Sequence, residues 1–164
     1  MDAGAVGPRG GVVSGPSVVA PAQALLNDLV AANHILADLG LVDAFGHVSA
    51  RHDSQPGRFL LARNMAPALV EAGDVLQYDL DGTPLDADGR RVYLERFIHG
   101  AIYRARPDVM AVVHSHSPAV LPFAVAKNAR LRPVCHMSGF LGGGVPLFEI
   151  RDSAGAAEEA AHVA

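Results

Sequence analysis

The chain has 164 residues, half of them hydrophobic and 18% charged, which is the composition of a globular domain able to bury a core and excludes a disordered segment. The formal net charge of −4, spread without blocks of one sign, leaves no electrostatic footprint for nucleic acid or an acidic membrane surface, and no apolar run is long enough to span a bilayer. Cys135 is the single cysteine, so no intrachain disulfide forms; this fits a cytoplasmic protein, and the thiol reads as a small core residue.

Residues 1–20 are rich in Gly, Ala and Val but lack the continuous apolar core of a signal peptide. They read as a loose arm, leaving 21–164 as one domain. From Pro21 to Leu39 the apolar residues Leu25, Leu29, Ala32, Leu36 and Leu39 recur at three- and four-residue steps, predicting a helix with Gly40 just past its end. Residues 45–51 (FGHVSAR) and 58–62 (RFLLA) predict short strands. Residues 74–80 predict a third, turning at Asp81-Gly82 into a hairpin. Residues 95–105 predict a helix with Phe97, Ile98, Ala101 and Ile102 on its apolar side, ended by Pro107. The β-branched run 109–113 predicts a buried strand. Ser117-Pro118 suits another helix start, which Pro122 would disturb. Gly142, Gly143 and Gly144 mark a loop region, and from Ser153 the chain turns Ala/Glu-rich and helical. Helices alternating with short strands predict an α/β fold with a central mixed sheet.

The strand 109–113 runs directly into His114-Ser115-His116. Side chains two apart on a strand share a face, so both imidazoles present nitrogens to one point while Ser115 faces away. A divalent cation of borderline softness accepts such a pair. Glu95 sits in the first turn of the preceding helix, where a carboxylate is favoured by the helix dipole alone.

FGHVSAR together with ERFIHGAIYRARPDVMAVVHSHSPAV resembles the class II aldolase/adducin domain family, over nearly all the chain after the arm. The resemblance implies a three-layer α/β/α sandwich with a largely antiparallel sheet, commonly assembled as a homotetramer with sites between subunits. It implies one divalent metal, Zn or Mn first and Fe or Co as further choices. His114 and His116 match two of the family's three histidine ligands, and Glu95 matches its acid/base glutamate. The third family histidine belongs to an Asn/Gly-His-Gly strand that this sequence does not contain, so the domain reads as missing its C-terminal part. His162 reads as a solvated helix residue.

The family's sugar-phosphate aldolases hold phosphate with small hydroxyl-rich stretches. Here these read Gly46-His47-Val48-Ser49, Ala62-Arg63-Asn64-Met65 and Val92-Tyr93-Leu94. Arg63 remains to take a carboxylate through paired hydrogen bonds. With the run from His136 to Gly142, these changes resemble the branch of metal-dependent decarboxylases of hydroxylated aromatic acids. His47, Ser49, Arg63, Asn64 and His136 are therefore candidate contacts for a small carboxylate or hydroxy-carbonyl substrate. His99, one turn beyond Glu95, either orients it or is packed, and His34 and His52 read as solvated. The leading expectation is a metal-dependent carbon–carbon lyase of decarboxylase or aldolase type. A sugar-phosphate aldolase, a non-haem iron oxygenase and a non-catalytic adducin-like interaction domain stay open.

Overall fold

The computed structural model describes residues 18–146. Most of the arm, the Ala/Glu-rich stretch and His162 lie outside the described residues. Within them the order is α1 (Gln23–Asp38), β1 (His47–Arg51), β2 (Arg58–Ala62), β3 (Val75–Asp79), α2 (Arg96–Ala105), β4 (Ala111–His114) and α3 (Leu121–Val125), with 3-10 turns at Pro67–Leu69, Ala72–Asp74 and His136–Leu141. The expected strands and the two long helices are present, displaced by at most two residues, but β4, expected to be buried, is an edge strand whose residues are exposed or half-buried because only β1 pairs with it. α3 starts later than Ser117-Pro118 suggested, because Pro122 occupies its first turn, where no N–H partner is needed. No described helix is long and apolar enough to cross a membrane.

The four strands form one sheet in the order β3-β2-β1-β4, every pairing antiparallel. Alternation along β1 and β2 divides the core into two layers. Val48, Ala50 and Leu60 face α1 and pack on its Leu29, with Leu25, Leu26, Ala32 and Leu36 around them. Phe59, Leu61, Leu76 and Tyr78 face the opposite way and pack with Tyr93 and with Tyr103 of α2. Helix, sheet and helix thus make the three layers of an α/β sandwich. Leu39, expected on the α1 stripe, is 64% exposed because the helix has already ended at Asp38 and Gly40 takes a left-handed φ of 63°.

α2 turns a different face inward from the one its apolar residues suggested. It buries His99, Gly100 and Tyr103, while Phe97, Ile98, Ala101 and Ile102 are half-buried. The reason lies in the sheet: His47, Ser49 and Arg51 are the α2-facing residues of β1, all three are buried, and polar partners must meet them. Arg51 closes the C-terminal end of α2, donating to the carbonyls of Tyr103 (2.8 Å), Arg106 (3.0 Å) and Val109 (3.0 Å), with a fourth bond to Pro56 (2.9 Å). His52 is also buried rather than solvated, its Nε2 bonded to the Val19 carbonyl at 3.0 Å. Cys135, expected in the core, is exposed beside the turn of residues 136–141.

Gly100 lets α2 lie close to the end of β3. A Cβ there would sit 2.5 Å from the Leu80 carbonyl oxygen, which is backbone and cannot swing away. Gly100→Ala is therefore expected to lower stability by about 1–3 kcal/mol, the cost of overpacking, outweighing the helix-propensity gain of roughly 1 kcal/mol. Urea denaturation measures it; unchanged or increased stability would contradict this packing.

Candidate active site

Antiparallel pairing of β1 with β4 makes His47 and His114 directly opposed residues. Their rings stack with centroids 4.8 Å apart and planes 17° apart. Beyond the strand end the chain returns His116 to the same side, so that Nε2 of His114 and Nε2 of His116 lie 3.0 Å apart. Ser115 faces away and donates its hydroxyl to the Leu41 carbonyl. The two imidazoles therefore converge as the spacing predicted.

Asp43 was not singled out by sequence reasoning, yet it backs this pair. Its two carboxylate oxygens each lie 3.3 Å from Nδ1 of His116. Backbone N–H groups of Phe45 (2.9 Å) and Gly46 (2.8 Å) donate to Asp43 Oδ1 and hold it still. Burial pushes the Asp43 carboxyl up, but these donors and His116 outweigh it and hold it below its usual value. A carboxylate on Nδ1 keeps the proton there and leaves the Nε2 lone pair to a cation. The legible signal was Asp43-x-x-Gly46, a side chain folding onto the N–H groups two and three residues on. Gly46 is required: a Cβ would meet Val42 Cβ at 2.6 Å and the His114 carbonyl at 3.1 Å.

Glu95 immediately precedes α2, and its Oε2 lies 4.0 Å from Nε2 of His47, with the glutamate side chain 37% exposed. His47 thus bridges the candidate acid/base to the histidine pair. Tyr93 packs on the His47 ring at 4.2 Å, with its hydroxyl donated to the Met65 carbonyl. Two aromatic rings occupy the region where the resemblance placed small phosphate donors. His47 Nε2 is buried without a hydrogen-bond partner. Behind His47, its Nδ1 lies 2.9 Å from His99 Nε2; His99 Nδ1 lies 2.6 Å from Ser49 Oγ; and Ser49 Oγ lies 2.8 Å from the Tyr103 hydroxyl. Burial, with the neighbouring histidines, drives the pKa of His47 down to about 2. Burial first, and His114 second, take His99 to about 3. Both rings are neutral at ordinary pH.

Other expected contacts are redistributed. Ser49, expected to touch substrate, is fully buried and committed to His99 and Tyr103. His99 packs inward to His47 rather than reaching Glu95 directly. Arg63 is partly exposed and gives its Nε to Asp74 at 2.7 Å. Asn64 is exposed, and its backbone N–H donates to the Arg91 carbonyl. His136 is exposed at the start of its 3-10 turn. The described residues contain no group of three or more His, Cys, Asp or Glu side chains placed to hold a metal. Two converging nitrogens with a carboxylate behind one of them fit part of a divalent-ion ligand set.

Known proteins match this sequence and this fold. The family model described as "Class II Aldolase and Adducin N-terminal domain" matches residues 27–164, and the chain belongs to that family. Decarboxylase tropJ of Talaromyces stipitatus is 39% identical over 132 residues, covering 79% of this chain and 49% of that protein. A 3,4-dihydroxyphthalate decarboxylase of Arthrobacter keyseri is 34% identical over 129 residues, covering 70% of this chain and 50% of that protein. The solved L-fuculose 1-phosphate aldolase of Glaciozyma antarctica superposes with a TM-score of 0.69 at 27% identity, covering 85% of this chain and 57% of that one. The chain spans about half the length of the curated relatives it matches.

The buried His99 makes stability depend on pH in a defined direction. Its folded pKa of about 3 lies below the ordinary histidine value of 6.5, so as pH falls through that window the unfolded chain gains a proton that the fold refuses. At pH 5 this one group removes about 2 kcal/mol. Urea midpoints at pH 7 and pH 5 are expected to fall more in the parent than in His99→Gln. An equal fall in both would show that His99 is protonated in the fold.

Proposed function

We propose that the chain carries the metal-binding and acid–base elements of a carbon–carbon lyase acting on a small, non-phosphorylated hydroxy acid, with decarboxylation ahead of aldol cleavage. The observation that supports it most is the 3.0 Å approach of the His114 and His116 Nε2 atoms, with Asp43 behind one ring and Glu95 reached through His47. His114 and His116 would hold the ion, Zn or Mn first, with Fe or Co also suited to imidazole. A divalent ion there supplies Lewis acidity for the electron pair left on carbon when a C–C bond breaks.

The chain's own residues do the rest. Glu95 moves the proton: it takes one from a substrate hydroxyl or returns one to the carbon that has lost CO2. Partial exposure keeps it reachable from solvent, so the proton can be replaced. Tyr93 and His47 fill space with rings rather than with small hydroxyl donors, which disfavours a phosphate and suits a flat acid. The Asp74 contact fixes the Arg63 side chain, and the guanidinium edge beyond Nε is the group a substrate carboxylate would meet. Asn64 and His136, both exposed, are further candidate contacts. Two relatives named as decarboxylases, one of them for 3,4-dihydroxyphthalate, support the choice of a hydroxylated acid. The reading includes a homotetramer with sites between subunits.

The test is CO2 release from a panel of hydroxylated aromatic acids, with Mn2+ or Zn2+ supplied, beside cleavage of a sugar phosphate. Release from an acid supports the proposal; activity on the sugar phosphate alone reverses it. Asp43→Asn is expected to weaken metal binding by about 10–100-fold, the usual cost of losing a carboxylate behind a ligating imidazole. Glu95→Gln is expected to leave metal affinity unchanged and to lower kcat by roughly 10²–10⁴-fold. Calorimetry and steady-state kinetics separate the two effects.

A further inference from the structure

The row of four buried side chains behind Glu95 has a direction. Tyr103, Ser49, His99 and His47 are each almost wholly enclosed, and each touches the next through one polar contact: 2.8, 2.6 and 2.9 Å in turn. Enclosure keeps both imidazoles neutral, so each ring carries a single N–H. A phenol, a serine hydroxyl and two neutral imidazoles in series carry four hydrogens. These can point all one way or all the other.

The two directions are not equivalent. If the hydrogens run inward, His47 donates to His99, His99 to Ser49 and Ser49 to Tyr103. The phenolic hydrogen is then left in the core, where Ser49 Oγ is already donating and the other group bonded to the Tyr103 hydroxyl, the Val112 backbone N–H, is itself a donor. At the other end, a bare Nε2 lone pair of His47 would face the Glu95 carboxylate at 4.0 Å. An unsatisfied buried donor costs about 1–3 kcal/mol, and a lone pair facing an anion adds repulsion. If the hydrogens run outward, Tyr103 donates to Ser49, Ser49 to His99 Nδ1 and His99 Nε2–H to His47 Nδ1. Every internal hydrogen is then accepted. The one left over is the His47 Nε2–H, and Nε2 is the atom that is buried without a partner and lies near Glu95.

We propose that Tyr103, Ser49, His99 and His47 form a one-way hydrogen-bond chain that fixes the His47 proton on Nε2 and directs it at the Glu95 carboxylate. Ser49 and His99 are positioning residues that act through His47, and His47 is the donor that orients Glu95. A shift of about 1 Å by the partly exposed glutamate would bring the 4.0 Å separation to hydrogen-bond length. The role given to Glu95 rests on the lyase reading; the direction of the chain does not.

The experiment is two-bond 15N–1H correlation spectroscopy on the whole chain labelled with 15N-histidine, which reports the tautomer of each ring without any turnover. His47 and His99 are both expected as Nε2–H tautomers. Ser49→Ala removes the hydroxyl that donates to His99 Nδ1 and is expected to give a mixture of tautomers at His99 and His47. Tyr103→Phe leaves Ser49 still able to donate and is expected to keep the Nε2–H forms, which also controls for mere loss of packing. In turnover assays Ser49→Ala is expected to lower kcat by about 10–100-fold with KM changed less than about 2-fold. An Nδ1–H form of His47 in the parent, or unchanged tautomers in Ser49→Ala, overturns the proposal. Expected tautomers in a protein that turns over no hydroxy acid uphold the chain's direction and sink the lyase reading instead.

Discussion

Pairing of β1 with β4 in the register that sets His47 opposite His114 is the constraint on which the site depends. A slip of one residue would send every side chain of β4 to the other face. His114 would then lie on the α1 side, away from His47 and Glu95. Several features hold the register. Arg51 N–H donates to the Met110 carbonyl at 2.8 Å, and the Arg51 side chain ties the Val109 carbonyl at the entrance to β4. Gly46 permits the backbone to pass the His114 carbonyl closely. Asp43 fastens the loop before β1 to His116 beyond β4.

The same register explains why the sheet tolerates a polar stripe in its interior. β1 reads His-Val-Ser-Ala-Arg, and all five residues are buried. Val48 and Ala50 join the apolar layer under α1, while His47, Ser49 and Arg51 face α2. Burying three polar side chains is costly unless each finds a partner. Ser49 finds His99 and Tyr103, and Arg51 finds carbonyls at the end of α2. His47 finds one partner through Nδ1 and leaves Nε2 unmatched near Glu95. The unmatched atom of this stripe is the one that lies 4.0 Å from Glu95 Oε2. α2 serves both ends of this design, starting just after Glu95 and ending under Arg51.

What the sequence made legible follows from range. The His114–His116 pair was readable because strand alternation over two residues is local physics. Glu95 was readable as a residue opening a helix, and Asp81-Gly82 as a turn, confirmed by the left-handed Gly82 at φ 77°. The links from His47 to His99 and from Ser49 to Tyr103 span 52 and 54 residues, and no local pattern carries such pairings. For the same reason the inward face of α2 was misjudged: apolar spacing favoured Phe97 and Ile98, but the sheet beneath offered polar partners and drew in His99 and Tyr103. Cys135 was misplaced because its residue type favours burial while its turn lies on the surface. His52 was misplaced because its partner, the Val19 carbonyl, lies 33 residues away.

In the proposed site the imidazoles of His114 and His116 face one cation through Nε2. X-ray absorption at the metal edge, on protein loaded with Zn2+ or Mn2+, tests it most directly. Imidazole scattering from at least two histidines is expected, with two of them lost when both residues are replaced by alanine. A coordination shell of oxygen alone, or an imidazole signal unchanged by that double replacement, would contradict it.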